Sequence, residues 1–210
     1  MSVPSADGAR TRLLLVRHGE STWNADGRWQ GQADPPLSAL GEQQAAEAAT
    51  RVDPVDAIWA SDLVRARRTA QIVADGLNAG GHEVHVRLDP RLRERDAGEW
   101  EGHTRAEIED GWPGYLASGR RPPGYELDDS LVARTLEAVD EIGLAHAGGS
   151  VLVVVHGGVV RTLEGHLGGD HHGLLPNLGG RWLLCTGSGW SLGDTVLLLE
   201  DVTVTTPEQI

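Results

Sequence analysis

The sequence predicts an α/β fold, a three-layer α/β/α sandwich with a largely parallel central sheet. Strand-like apolar runs alternate with helical stretches along the chain, a pattern typical of such sheets. Two of these runs, residues 11–16 and 150–155, lead almost directly into a histidine followed by a glycine. Because ligands bind beyond the carboxyl ends of strands in these sheets, the two histidines mark the expected site.

The expected domain organisation is simple. A length of 210 residues suffices for one substantial α/β domain, and no internal repeat or low-complexity linker divides the chain. Residues 1–10 are expected to form a flexible N-terminal tail, and residues 11–210 are expected to form a single domain.

Caps and periodicity define the predicted elements of the N-terminal half. Ser38 can cap a helix that alanines fill, and Ser61 or Asp62 can cap a second helix. The second helix has apolar residues spaced for one buried face, namely Leu63, Ala66, Ala70 and Val73. The predicted elements are a strand at 11–16, a helix at about 38–51, a strand at 57–60, a helix ending near residue 77 and a strand at 84–88.

Glycine and proline punctuate the C-terminal half. Residues 111–128 are rich in both and are expected to form a surface excursion, and Gly148 and Gly149 end the helix that follows. Residues 150–155 are the most strand-like segment of the chain. The predicted elements are a helix at 131–146, a strand at 150–155, a helix to about residue 167, and strands near 182–186, 188–192 and 196–202.

Charge and composition exclude several classes of function. A formal net charge of −13 argues against general binding to nucleic acid or to anionic membrane surfaces. All 18 basic residues are arginines, whose planar fork matches phosphate and carboxylate groups. An anionic substrate therefore requires a local cluster of these arginines that overcomes the field of the whole protein.

Nothing in the sequence indicates export or membrane insertion. The longest apolar run, residues 151–155, is far shorter than a membrane-spanning helix, and the first residues contain no apolar signal-peptide core. Cys185 is the only cysteine, so no intrachain disulfide can form. A cytoplasmic location is expected.

The residues at the two strand ends can form an anion site. Arg17 and His18 place a cation and an imidazole where the first strand leaves the sheet, and Gly19 permits a tight turn there. The His-Gly-Gly sequence at residues 156–158 repeats this arrangement at the start of a helix, whose N–H groups attract anions. The pattern predicts that both imidazoles share one oxyanion-binding hollow.

An ordered set of motifs runs through roughly residues 12–167. The segments are RHGESTWN at 17–24, GRWQG at 27–31, DPPLS at 34–38 with Gly41, SDLVRARRTA at 61–70, LRE at 92–94 with GEWEG at 98–102, PGYE at 123–126 and HGG at 156–158. This set resembles the histidine phosphatase superfamily, which includes the cofactor-dependent phosphoglycerate mutases. The match departs from the family pattern at Tyr125, which stands where the family has a glycine.

The resemblance implies how the phosphoryl group is handled. His18 would attack phosphorus and form a phosphohistidine, a reaction open to a neutral imidazole. Cationic and polar groups would bind the phosphoryl oxygens and stabilise the charge of the transition state. The residues implied for this task are Arg17, Arg65 and His156, with Asn24 and the Gly157 N–H as further donors.

The resemblance also implies a proton-transfer group and a substrate loop. Glu94 would protonate the leaving oxygen and then take a proton from the attacking water, with Asp96 and Glu99 as nearby competitors for this role. Gln30 and Gly31 match a substrate-contacting loop. Because arginines supply the positive charge, neither a metal nor another cofactor is expected.

Several of these residues have an ordinary structural alternative. His18 and His156 could be core histidines, and Glu94 could pair with its neighbours Arg91, Arg93 and Arg95. His171 and His172 suggest a metal site, but adjacent histidines point in different directions and no spaced partner is evident. These two residues are therefore expected to lie in a surface loop.

Three functions remain open at this point. They are a phosphatase, a mutase that returns the phosphoryl group to a second hydroxyl, and a non-catalytic module that binds a phosphorylated ligand. The 62 positions from Glu94 to His156 form a shorter excursion than the mutases of the family have, which favours hydrolysis. A binding module would not require an acid at Glu94. The phosphatase is therefore favoured.

The expected substrate is a small phosphorylated metabolite, a sugar phosphate or sugar-acid phosphate. The sequence LPNLGG at residues 175–180 is similar to that of actinobacterial glucosyl-3-phosphoglycerate phosphatases. Candidates for binding a substrate carboxylate are Arg28, Arg105, Arg120 and Arg121. No nucleic-acid or membrane partner is expected, and the resemblance leaves a homodimer open.

Overall fold

One mixed sheet forms the centre of the molecule in the computed structural model, which describes residues 10–169, 175–186 and 189–200. Its strands are β1 (Arg12–Arg17), β2 (Ala57–Ala60), β3 (Val86–Leu88), β4 (Ser150–Val155), β5 (Gly179–Thr186) and β6 (Gly189–Leu197). The strand order is β3-β2-β4-β1-β5-β6. The four strands from β3 to β1 are parallel, and β5 and β6 add an antiparallel edge. The predicted, largely parallel sheet is confirmed.

The central pair of strands, β1 and β4, sets the position of both site histidines. The two strands run parallel, and their last residues, Arg17 and Val155, are partners in the register. His18 and His156 follow these residues directly and leave the sheet at the same edge. The close approach of two residues 138 positions apart in sequence thus follows from strand pairing.

Helices cover both faces of the sheet. They are α1 (Thr22–Ala25), α2 (Ala39–Ala49), α3 (Val64–Ala79), α4 (Arg105–Gly111), α5 (Tyr115–Ser118), α6 (Asp128–Ala145) and α7 (Gly157–His166), with 3₁₀ turns at Pro90–Leu92 and Gly98–Trp100. Alternate strand residues face opposite layers: Leu14 and Val16 pack toward α2 and α3, whereas Leu13 and Leu15 pack toward α6 and α7. This arrangement is the three-layer α/β/α sandwich that the sequence predicts.

Two helix starts differ from the predictions. Helix α3 begins at Val64 with Leu63 as its N-cap, and the Ser61 hydroxyl accepts a hydrogen bond from the Leu63 N–H instead of capping the helix. Helix α6 begins earlier than predicted because Asp128 and Asp129 form its first turn, where negative charge is favourable.

The three predicted C-terminal strands are wrong in number. The structure has two, because residues 189–197 form one continuous strand that pairs with β5 along its length. A register shift interrupts this pairing between Arg181 and Leu183 of β5, opposite Gly193 and Asp194 of β6, without ending either strand. The predicted third strand extends to residue 202. Residues 198–200 are not in a strand, and residues 201 and 202 lie outside the described residues.

Residues 111–128 are more ordered than the predicted surface excursion. Part of this segment forms α5, and Leu116 is buried in a third core cluster that also contains Trp29, Ala97, Trp100 and Ile108. The Trp29 and Trp100 rings meet edge to face with centroids 5.1 Å apart. Within the segment, the Tyr125 ring packs edge to face against Trp100 with centroids 5.9 Å apart, so aromatic packing holds the segment against this cluster.

Several predictions concern residues outside the described part of the chain. These are the flexible tail, of which only Arg10 is described, and the loop with His171 and His172. In the described residues, no helix has both the length and the apolar character needed to cross a membrane.

Candidate active site

The two strand-end histidines lie side by side beneath the surface. Their ring centroids are 5.1 Å apart with an interplanar angle of 64°. Both side chains are buried, since His18 is 2% exposed and His156 is 0% exposed. His18 lines a cavity of about 1120 Å³ beyond the carboxyl ends of the strands, at the sheet edge where the sequence places the site.

Hydrogen bonds fix which nitrogen of His18 can react. Nδ1 lies 2.6 Å from the carbonyl oxygen of Gly19, which can only accept, so the ring hydrogen is on Nδ1. Nε2 then carries the lone pair, and it accepts a hydrogen bond from Nε of Arg65 at 3.2 Å. The backbone of His18 is held as well, because the Asn177 side chain donates to its carbonyl at 2.9 Å. The nitrogen with the lone pair is therefore Nε2.

Both histidines are held in the neutral form. Burial lowers the pKa of His18 well below its usual value of 6.5, and the nearby Arg65 and Arg17 guanidinium groups lower it further. Burial followed by the charge of Arg65 lowers the pKa of His156 in the same way. A neutral imidazole retains the lone pair that nucleophilic attack requires.

Two buried arginines supply the positive charge. Arg17 is 4% exposed and Arg65 is 0% exposed, and burial lowers the pKa of each to about 10, so both stay protonated at neutral pH. Arg17 donates to the Leu175 carbonyl at 2.6 Å. Neutral histidines between fixed guanidinium groups make a site that favours an anion in the cavity.

Arg65 is fixed by the loop that carries Gln30 and Gly31. Its terminal nitrogens donate to the carbonyl oxygens of Gly31 at 2.9 Å and Ala33 at 2.8 Å. Gly31 has φ +53°, and a Cβ at this position would overlap the Glu101 carboxylate. Glycine is thus required to turn this carbonyl toward the guanidinium group.

The carboxylate of Glu94 accepts hydrogen bonds from two parts of the cavity wall. Its oxygens accept hydrogen bonds from the N–H of Arg95 at 2.8 Å and from the N–H of Gly158, in the first turn of α7, at 3.0 Å. A side chain on Gly158 would overlap this carboxylate. The neighbouring arginines pair elsewhere: Arg91 with Asp89, Arg93 with Asp62 and Arg95 with Asp128.

Some of the other predicted residues line the cavity and others do not. Gln30, Gly31 and Gly157 line it, as do Arg17, Arg65 and Glu94, whereas Asn24, Asp96 and Glu99 are not part of the lining. Asn24 is buried, and its side chain accepts from the Ser21 N–H in a helix cap, so the geometry gives it a local structural task. Arg121 lines the cavity, unlike Arg28, Arg105 and Arg120.

Some residues at the site were not singled out by the sequence. Thr69 accepts from the Gly19 N–H and donates to the Arg65 carbonyl, which links the loop after β1 to helix α3. Asn177 and Arg134 hold backbone carbonyls on either side of the site. Thr69 lies within a matching motif, one turn after Arg65, and this spacing was the available signal. Asn177 lies within the LPNLGG segment, whereas Arg134 carries no local signal, because its partners are distant backbone atoms.

Acidification is expected to destabilise the fold in the pH range of histidine. Both site histidines have folded pKa values well below 6.5, so below about pH 6.5 the unfolded chain binds more protons than the folded protein. Stability is therefore full above this value and lost as the pH falls, by roughly 2 to 3 kcal/mol for the pair between pH 7.5 and 5.5. Urea unfolding at these pH values measures the change.

Two matched variants test whether the site histidines cause this pH dependence of stability. His156→Asn should remove about half of the loss, whereas His85→Asn, at an exposed site, should leave it unchanged. Equal stability of the parent protein at pH 7.5 and 5.5 would show that the two rings are not held neutral.

The fold and the site together define a class of protein. It is an α/β enzyme in which a parallel sheet presents buried imidazole and guanidinium groups to an anionic group. Residues 13–191 match the model of the histidine phosphatase superfamily, branch 1, and the chain belongs to that family. It is an enzyme of the histidine phosphatase family, and several of its relatives are named as phosphatases.

Individual relatives support this assignment. The chain is 35% identical over 202 residues to a glucosyl-3-phosphoglycerate phosphatase of Mycolicibacterium vanbaalenii, covering 87% of both chains. It is 37% identical over 163 residues to a metal-independent phosphoserine phosphatase of Arabidopsis thaliana, covering 73% of this chain and 67% of the relative. A solved structure of a mycobacterial glucosyl-3-phosphoglycerate phosphatase complexed with VO3 superposes with a TM-score of 0.77 at 31% identity, covering 87% of this chain and 97% of that chain. Other relatives are named probable phosphoglycerate mutases.

Proposed function

We propose that this protein hydrolyses small phosphate monoesters through a phosphohistidine on Nε2 of His18. One observation carries the proposal: a neutral, buried imidazole whose only lone-pair nitrogen meets a guanidinium group at the lining of an open cavity. A core histidine in a purely structural role would not need two buried arginines beside it, since each costs free energy to desolvate.

In the first half-reaction, Nε2 of His18 attacks phosphorus, the bond between phosphorus and the ester oxygen breaks, and Glu94 gives its proton to that oxygen. In this structure, the Nε–H of Arg65 donates a hydrogen bond to Nε2 of His18. As the P–N bond forms, the same N–H donates its hydrogen bond to a phosphoryl oxygen instead. Arg17 and the Gly157 N–H, which line the cavity, stabilise the remaining negative charge.

In the second half-reaction, water attacks the phosphohistidine and gives its proton to the Glu94 carboxylate. The P–N bond breaks, the neutral imidazole is restored and inorganic phosphate leaves. One carboxyl group thus serves as acid and then as base, which its fixed position between two backbone N–H groups permits.

The proposed chemistry does not use a metal ion. Arg17 and Arg65 supply the charge that a divalent cation supplies in other phosphoryl-transfer sites. In the described residues, no group of three or more metal-ligating side chains is present. The relative from Arabidopsis thaliana that is named metal-independent supports the same proposal.

The proposed substrates are sugar phosphates or sugar-acid phosphates of the cytoplasm. Two relatives are named glucosyl-3-phosphoglycerate phosphatases. The cavity volume of about 1120 Å³ leaves space for a leaving group as large as a sugar, and Arg121 on its wall can meet a carboxylate. A mutase is the alternative, and the open cavity weighs against it because water can reach the phosphohistidine.

The deciding experiment is a turnover screen over phosphorylated metabolites in EDTA, with inorganic phosphate as the readout. Activity that survives EDTA supports hydrolysis without a divalent metal. An isomerised product that depends on a bisphosphorylated primer would support the mutase. Tight binding of phosphorylated compounds without turnover, and without a phosphoenzyme after alkaline quench, would support a binding module.

Glu94→Gln is expected to lower kcat/KM for an alkyl phosphate by about 100-fold, because an alkoxide leaves poorly without a proton. The loss with 4-nitrophenyl phosphate should be below about tenfold, since its phenolate leaves without help. Steady-state kinetics on both substrates measure the difference. Glu99→Gln is the matched control because Glu99 is exposed and outside the cavity lining. Equal losses on the two substrates would remove Glu94 from the acid role.

A further inference from the structure

We propose that Arg134 is a positioning residue for Glu94 and that Glu126 holds Arg134 in place. The inference rests on the proposed function, in which Glu94 transfers the proton to the leaving oxygen. Arg134 lies on α6 and does not line the cavity, so it would act only through the segment that carries the acid.

Three backbone carbonyls converge on the guanidinium group of Arg134. It donates to the carbonyl oxygens of Arg91 at 2.7 Å, Arg93 at 2.6 Å and Glu94 at 3.0 Å. Since Leu92 is fully buried in the α6 side of the core, these bonds fix the remaining freedom of the peptide groups around Glu94. The planar fork of arginine suits this task, because one group reaches several acceptors in a fixed geometry.

Glu126 binds the same guanidinium group of Arg134. Its carboxylate pairs with Nε and Nη2 of Arg134, both at 2.8 Å, and accepts from the Asp96 N–H at 3.2 Å. The Arg134 and Glu126 side chains are 19% and 12% exposed, so the pair is largely shielded from water. A bidentate pair in this environment is more rigid than a surface salt bridge.

This network bears on the position of the acid because the Glu94 carboxylate accepts hydrogen bonds from two backbone N–H groups. One of these is the N–H of Arg95, which belongs to the same segment, and the other is the N–H of Gly158 on α7. A shift of the 91–96 segment relative to α7 would therefore move the carboxylate away from the leaving oxygen. A displacement of about 1 Å can cost about 100-fold in rate.

The fold has other links between the same elements. Arg91 pairs with Glu137 and Glu141 of α6 and with buried Asp89. These contacts hold the segment against the helix at its start, several residues before the acid. Arg134 differs because it reaches the carbonyl of Glu94 itself. The contacts of Arg91 are therefore a structural link, whereas the contacts of Arg134 are a link that sets the position of the acid.

The test compares Arg134→Met with Arg91→Met and Glu94→Gln on two substrates. These are 4-nitrophenyl phosphate and the best alkyl phosphate from the metabolite screen. The readout is the ratio of kcat/KM for the alkyl phosphate to kcat/KM for the nitrophenyl ester, which does not depend on the fraction of active enzyme. Arg134→Met is expected to lower the ratio roughly tenfold or more in the direction of Glu94→Gln. Arg91→Met should leave the ratio unchanged.

Two further measurements keep the outcomes distinct. Glu126→Gln should lower the same ratio less than Arg134→Met, and it serves as the second variant if Arg134→Met is insoluble. In the Glu94→Gln background, Arg134→Met should change the ratio no further, since the group that it positions is already absent. A lowered ratio for Glu94→Gln with an unchanged ratio for both network variants overturns the positioning role alone. An unchanged ratio for Glu94→Gln removes the acid from the proposed function and this inference with it.

Discussion

His18→Ala is expected to lower kcat by on the order of 10⁵- to 10⁶-fold, the scale on which loss of a catalytic nucleophile acts in other enzymes. The reason is that no other group takes over the attack. His156, the nearest ring, has neither nitrogen hydrogen-bonded within the described structure and lies below the cavity lining at 0% exposure. Initial rates on the best substrate, measured in EDTA, give the loss.

A covalent readout accompanies the rate. Rapid quench of the parent protein with labelled substrate in an alkaline denaturant should trap one alkali-stable, acid-labile phosphoryl group per chain, as phosphohistidine requires, and His18→Ala should trap none. His85→Ala, at an exposed position, is the matched control and should keep both turnover and trapping. Trapping that persists in His18→Ala would place the covalent step on another residue.

The location of the site was predictable because it depends on local patterns joined by one topological rule. Residues 11–16 and 150–155 read as strands from composition alone, and each leads into a histidine and glycine. Parallel pairing of the two strands then brings the histidines together, since Arg17 and Val155 are register partners. Sequence cannot give the register itself, which is set by packing on both faces of the sheet.

What could not be predicted depends on contacts with distant backbone atoms. The tasks of Asn177 and Arg134 arise from carbonyl groups far away in sequence, at His18 in one case and at the 91–94 segment in the other. The structure also gives Asn24 a local task that the motif match did not indicate, because its amide oxygen takes part in a helix cap; its predicted role as a donor to the substrate stays a prediction. A motif fixes residue type and order, whereas side-chain direction follows from tertiary packing.

Arg65 connects the nucleophile to the substrate loop. One guanidinium group donates to Nε2 of His18 and to the carbonyls of Gly31 and Ala33, and the whole side chain is buried. Its charge is also the second cause, after burial, of the lowered pKa of His18. In the proposed mechanism, Arg65 therefore orients the lone pair, helps burial to keep the imidazole neutral and provides positive charge for the phosphoryl oxygens.

Arg65→Met is therefore expected to lower kcat/KM by about 1000-fold, at the upper end of the effect of one preorganised donor. Product phosphate should bind more weakly, and the pKa of His18 should rise while staying below its usual value, because burial remains. Kinetics, phosphate titration and NMR titration of the imidazole measure the three effects. Arg68→Met is the matched control, since Arg68 lies on the same helix, is exposed and pairs with Glu42. A rate loss without a change in phosphate affinity or in the pKa of His18 would mean that Arg65 only holds the loop of Gly31, and that the positive charge at phosphorus comes from Arg17.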